Sequence, residues 1–242
     1  DDYIMMRCMC FFLCILGLFF LGRHPLVHRI VQGFLCLSSL AALVVSCLLY
    51  RVFPLQICHV SVWLVLPLAL WFNHPVFRLV LLCVSGWCAV MALMLPDLAT
   101  HVIGVKYIIY YLMHCNICLA ALYVFLYRRP VIRLQSIGVV FISFNVFLVC
   151  VGVIDYVFGQ NYVYLAHAPG VVTALSWSWS WPWYIVQSQL IILSLAVMTW
   201  GLAGCAWLWS CLMDKTQGLG FYVMRRWVEQ TIRKMFLSFG RL

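Results

Sequence analysis

Charge is what this sequence has least of. Only 9% of its residues are Asp, Glu, Lys or Arg, and the acids number six against fifteen bases. Soluble domains carry about 25% charged residues. With 67% of its 242 residues hydrophobic, the chain has more apolar surface than a water-soluble domain can bury. Linkers are missing too. No Gly/Ser/Pro-rich stretch, low-complexity tract or internal repeat breaks the middle of the chain, so one domain is expected. Period-two alternation is also absent, which argues against a membrane β-barrel and leaves helices as the spanning element. The first apolar run has neither a basic leader nor a small-residue cleavage pattern before Arg23. It is expected to be a retained span rather than a signal peptide.

Thirteen cysteines are present, most of them inside apolar runs where they act as small hydrophobes, so no disulfide framework is expected. A helix needs about 20 apolar residues to cross the hydrocarbon. Seven segments qualify: Tyr3 to Leu21, Ile30 to Tyr50, Leu55 to Phe72, Val76 to Leu95, Lys106 to Tyr127, Leu134 to Phe158 and Trp183 to Cys211. Short polar or Pro-bearing punctuation separates most of them, as at Asn73-His74-Pro75 and Arg128-Arg129-Pro130. The one long connection, Gly159 to Pro182, carries a Trp/Ser alternation from Ser176 to Trp181 that suits a membrane interface. The expectation is an all-α polytopic transmembrane bundle of about seven spans over residues 1–212. A basic tail follows over 213–242.

Seven spans sort the bases sharply. Arg7, Arg51 and Lys106 fall on one side and the other twelve on the opposite side, which by the positive-inside rule is cytoplasmic, or the matrix in a mitochondrion. The N-terminus is then outside, and the organelle is open among mitochondrial inner membrane, endoplasmic reticulum and bacterial plasma membrane. In the tail, Phe221, Met224, Val228, Ile232, Met235, Phe236 and Phe239 recur at helical spacing. Arg225, Arg226, Arg233 and Lys234 lie between them, so the tail reads as an amphipathic helix on an anionic membrane surface or against other membrane subunits. The net charge of +9 is accounted for by topology, and nucleic acid is not expected as a partner.

Polar residues within lipid are the first place to look for chemistry. Cys58, His114, Asp97, Asn161 and the Trp181-Pro182-Trp183 run all belong to the low-charge side. A Cys and a His in reach of each other make a nucleophile and its base: the imidazole takes the thiol proton and the thiolate attacks an acyl carbonyl. Asp97 can orient the imidazole, and Asn161 or an indole N–H can stabilise the oxyanion. With thirteen cysteines and seven histidines, however, some pair shares any chosen face. On the residues alone, a packed small hydrophobe for Cys58 and an interhelical hydrogen bond for His114 are the favoured readings. His114, Cys115 and Cys118 share a helix face but have no evident fourth ligand, so neither a metal nor any other cofactor is expected. Asp155 and Asp97 sit at the same end and offer no polar path for transport.

The run Phe53-Pro54-Leu55-Gln56-Ile57-Cys58-His59-Val60-Ser61-Val62-Trp63 resembles the Pro-Leu-His-x-Cys segment of the YwaF-like integral membrane proteins. The likeness continues through Leu95-Pro96-Asp97-Leu98, His114, Asn161-Tyr162-Val163-Tyr164-Leu165 before Pro169, and Trp181-Pro182-Trp183-Tyr184, covering about Phe53 to Leu202. It implies a compact multi-span fold whose eukaryotic members include an acyltransferase. That enzyme moves fatty acyl chains between phospholipids through a cysteine acyl intermediate. By position, Cys58 is the nucleophile and His114 its partner, with Asp97, Asn161, Trp181, Trp183, Tyr184 and Gln56 lining the pocket. Two positions depart from the pattern: the family His two residues before the cysteine is Gln56 here, and the Pro before Trp-Pro-Trp-Tyr is Ser180. His59 points about 100° around an ideal helix from Cys58 and is not expected to replace that His. The competing expectation is a non-catalytic accessory subunit of a membrane complex, such as a mitochondrial inner-membrane respiratory or ATP synthase assembly.

Overall fold

The computed structural model describes residues 25–51, 53–94, 105–128, 130, 132–167 and 181–215. Every regular element among them is helical. In chain order they are α1 (Pro25–Tyr50), α2 (Ile57–Leu70), α3 (Pro75–Met94), α4 (Val105–Tyr123, prolonged by a π-helical turn Val124–Arg128), α5 (Leu134–Phe158), a 3-10 turn at Tyr162–Tyr164, and α6 (Trp183–Lys215). Five of these helices are long and apolar enough to cross a membrane, and α2 is apolar but shorter. The polytopic all-α expectation thus describes the molecule. The Tyr3 to Leu21 segment lies outside the described residues, as do Asp97 and the whole 221–239 tail pattern.

Proline sets several of the boundaries. Pro75 occupies the first turn of α3, where its missing N–H costs nothing, and the preceding His74 is extended at φ −71°, ψ 124°. Helix α5 ends on Gly159, whose φ of +62° is the left-handed C-terminal conformation that glycine adopts without strain. Proline also bends the pattern from within. Pro67 sits inside α2, and the turn just before it, Ser61–Val65, opens into π geometry. That wider turn relieves the clash between the proline ring and the carbonyl four residues back. Helix α3 opens likewise at Leu81–Ser85, and the Gly86 N–H bonds back to Leu81 O.

The two π turns face each other. Ser61 Oγ and Ser85 Oγ are 2.7 Å apart, and the Ser61 hydroxyl donates to Ile57 O at 2.7 Å. One hydroxyl has one hydrogen, so Ser85 supplies the bond between the pair. Helix α4 is the most buried span and packs against both α1 and α3. Its contact with α3 is close: a Cβ on Gly86 would lie 2.9 Å from Ala121 Cβ. Leu66, Leu70, Leu81, Ile117, Ala120 and Val124 fill the interior around it.

Between lipid-embedded helices apolar burial supplies little drive, so packing and interhelical hydrogen bonds carry the association, each bond contributing about 0.6–2 kcal/mol. The described bundle has several: Asn116 Nδ2 to Ser38 Oγ at 2.9 Å, Tyr110 OH to Ala92 O at 2.8 Å, Trp87 Nε1 to Thr199 Oγ1 at 2.8 Å, and Asn145 Nδ2 to Gln189 Oε1 at 3.2 Å. The chain divides into two compact units, residues 1–199 and 200–242. Of the second, Trp200–Ala206 is helical and mostly exposed.

Candidate functional site

The start of α2 is wedged against α3 and α4, and this junction gathers the reactive side chains. Cys58 is half-buried there, and its thiol is in electrostatic range of the thiols of Cys88 on α3 and Cys118 on α4. Cys118 Sγ also lies 3.9 Å from Gly86 O, a contact made possible by the close α3–α4 approach. His59, the next residue of α2, interacts electrostatically with His114 of α4. Both imidazoles are buried, at 8% and 4% exposure.

Hydrogen bonding distinguishes the two histidines. His114 Nδ1 is 2.7 Å from Tyr110 O, and its ring stacks on Tyr110 with centroids 4.2 Å apart. A carbonyl only accepts, so Nδ1 carries the hydrogen, and in the neutral ring Nε2 carries the lone pair. His59 Nδ1 is buried with no hydrogen-bond partner. Neither imidazole is hydrogen-bonded to Cys58 among the described residues. No three His, Cys, Asp or Glu side chains among the described residues are arranged to hold a metal ion.

A second constellation lies in the segment after α5. Asp155, buried near the end of α5, accepts from Tyr162 N at 2.8 Å. Asn161 holds the next turn from inside: Oδ1 accepts from Ala166 N at 2.9 Å and His167 N at 3.1 Å, while Nδ2 donates to His167 O at 3.0 Å. Two non-glycine residues here, Val163 and Tyr164, have φ of +58°. Gln56 Oε1 accepts from Val163 N at 3.0 Å, which ties this strained loop to the residue that precedes α2. Tyr184 at the start of α6 donates its hydroxyl to Leu165 O at 2.9 Å.

The structure therefore links Gln56, Asn161 and Tyr184 through one loop, two residues upstream of Cys58. It puts Cys58 and His114 on facing helices. Trp181 and Trp183 are 67% and 60% exposed, unlike Tyr184 at 4%. Asp97, Arg225, Arg226, Arg233 and Lys234 lie outside the described residues. The sequence pattern sets His59 aside, as turned away from Cys58, and gives no sign of Cys88. The signal for His59 was its adjacency to Cys58 on a helix with neighbours on more than one side, where 100° of rotation leads from one partner helix to the next.

Neither the curated proteins nor the solved structures give a match to the chain. The comparison with protein families does, over residues 2–200, which include every helix, thiol and imidazole of the junction just described. This integral membrane protein belongs to the TMEM164 family.

Proposed function

We propose that the chain transfers acyl groups between phospholipids through a thioester on Cys58. The observation that carries this reading is the pair of buried imidazoles, His59 and His114, at the helix turn that bears Cys58, with a lone-pair nitrogen on His114 set by its bond to Tyr110. The likeness to YwaF-like proteins around Cys58, His114 and Trp181-Pro182-Trp183-Tyr184 supports it.

The chemistry closes without a cofactor. His114 Nε2 takes the Cys58 proton, and the thiolate adds to the ester carbonyl of a donor phospholipid. The C–S bond forms, the ester C–O bond breaks, and the lysophospholipid leaves as its hydroxyl after receiving the proton back from the imidazolium. A second lysophospholipid hydroxyl, deprotonated by the same imidazole, then attacks the thioester and frees the thiol. His59 Nδ1, without a protein partner, can bind the acceptor hydroxyl or the displaced proton. In the free protein the thiol and imidazole are not hydrogen-bonded, so a rotation of the Cys58 side chain accompanies lipid entry. Asn161 and Gln56 act through the loop they hold, and Trp181 and Trp183 anchor the same end at the interface.

Acyl capture tests this. Purified protein incubated with labelled phospholipid is expected to acquire a hydroxylamine-sensitive label that vanishes in C58A, survives in C88A, and forms at least about tenfold more slowly in H114A, a general-base deficit. A wild-type protein that never takes up label ends the acyl-transfer reading.

One observation favours a second reading, a non-catalytic subunit of a larger membrane assembly. Gln56, at the position of the family His, spends its side-chain carbonyl on Val163 N. A stoichiometric partner set on native gels after gentle extraction, unchanged by C58A, would support this reading.

A further inference from the structure

Two arginines lie within electrostatic range of each other at the end of α3 and α4 opposite the thiols. Arg78 lies in the first turn of α3, ten residues before Cys88 and so about 15 Å away by helix rise. It is half-buried. Its Nε reaches Ala69 O at 3.4 Å, while Nη2 is shielded from solvent and has no partner. Arg128 closes the π turn that prolongs α4, and its charge acts directly on Arg78.

Arg128 does not stand alone. Its guanidinium interacts electrostatically with the Tyr123 hydroxyl, which receives Gln32 Nε2 at 3.0 Å and lies 2.9 Å from His28 Nδ1. Gln32 Nε2 can only donate to this oxygen, which leaves the phenol's own hydrogen free for His28 Nδ1. Tyr123 is 2% exposed, and His28 sits edge-on to Tyr123 and Tyr127 at 5.7 and 5.0 Å. The platform under Arg128 is thus built of groups with satisfied polar atoms.

No carboxylate among the described side chains stands against this pair. Among the described side chains Asp155 is the sole carboxylate, and it is bonded to Tyr162 N beyond the far end of α5. Two like charges in range of each other repel, and an anion that joins them relieves the repulsion and takes up the shielded N–H group of Arg78. Guanidinium forks match an oxyanion with two or more acceptor oxygens. Aromatic rings beside helix ends gather at the membrane–water interface, where headgroup phosphates lie.

We propose that Arg78 and Arg128, with Tyr123 and Gln32 positioning Arg128, form a binding site for a phosphate group, presented by an anionic lipid headgroup or as a free anion. This site goes beyond the acyl-transfer reading and does not depend on it, since no residue of the thiol junction takes part.

The test uses the full chain in a neutral detergent, with the thermal midpoint measured against rising short-chain phosphatidylglycerol, short-chain phosphatidylcholine or inorganic phosphate. Phosphatidylglycerol is expected to raise the midpoint saturably, with half-saturation about tenfold higher in R78K and R128K, which keep the charge but lose the fork. Y123F is expected to weaken binding less, and R78K without ligand should melt near the wild type, so a loss of binding is not a loss of fold. Saturation by inorganic phosphate at comparable concentration assigns the site to a free anion. Saturation by the lipids alone assigns it to a headgroup. Equal responses in the wild type, R78K and R128K, or no saturable response to any phosphate compound, overturn the proposal.

Discussion

Replacing Gly86 by alanine probes the contact that brings α3 and α4 together. The added Cβ would lie 2.9 Å from Ala121 Cβ and 3.0 Å from Leu81 O. Carbon atoms pack best at about 3.5–4.0 Å, so the helices must part by roughly 0.6–1.1 Å. Overpacking of this kind costs about 1–3 kcal/mol, offset by up to about 1 kcal/mol from the better helix propensity of alanine. A net loss near 1–2 kcal/mol, at roughly 2–4 °C per kcal/mol for a chain of this size, lowers the melting midpoint by about 2–8 °C. The 3.9 Å approach of Cys118 Sγ to Gly86 O opens at the same time, so maleimide should label Cys118 faster. Thermal melting in detergent and labelling kinetics read the two effects separately. A121G relieves one clash and leaves Leu81 O in place, so the double variant should recover part of the loss, with a coupling of at least about 0.5 kcal/mol. A G86A protein as stable as the wild type, or strictly additive losses in the double variant, would refute the close-contact argument.

Other substitutions test the loop beside the thiol helix. Q56A leaves Val163 N without its acceptor and should cost about 1–3 kcal/mol, with faster amide exchange across 161–167 as the readout. D155A removes a charged acceptor from Tyr162 N and should cost about 1.5–3 kcal/mol, whereas D155N keeps an acceptor oxygen and should lose less than half of that in thermal melting. G159A places a side chain at φ +62° and should destabilise by about 1 kcal/mol.

The span pattern was legible because lipid enforces it: continuous apolar runs and their prolines mark helices α1 to α6 with small boundary errors. The sequence predicts α1 from Ile30, yet Pro25 already begins it, since a proline at the first helical position starts a helix rather than delaying it. The Leu55 to Phe72 segment was expected at full span length, but Phe53-Pro54 and Pro67 shorten and widen it, leaving Ile57–Leu70. The π turns had no signature of their own in the pattern. Polar residues were harder to assign. Asp155 stands in the sequence as an isolated acid near the end of a span, and the structure bonds it to the backbone of the next turn. Asn161 and Gln56 were weighed as pocket walls, and their amides hold one loop. Such roles depend on which backbone N–H groups are left over once the helices form, which spacing does not reveal. Nor did spacing announce the pairing of Arg78 with Arg128, fifty residues apart, because each separately satisfies the charge rule for its own loop.

The facing wide turns at Ser61–Val65 and Leu81–Ser85 give this bundle two particular places where chain length can change by one. Each accommodates one residue more than an ordinary helical turn. Deleting Cys83 would let that stretch tighten to regular winding, with the Gly86 N–H still bonded to Leu81 O and the remainder of α3 keeping its facing. Cys88 would keep its place among the other thiols, whereas a residue lost from the regular winding of 87–94 would turn everything after it by about 100°.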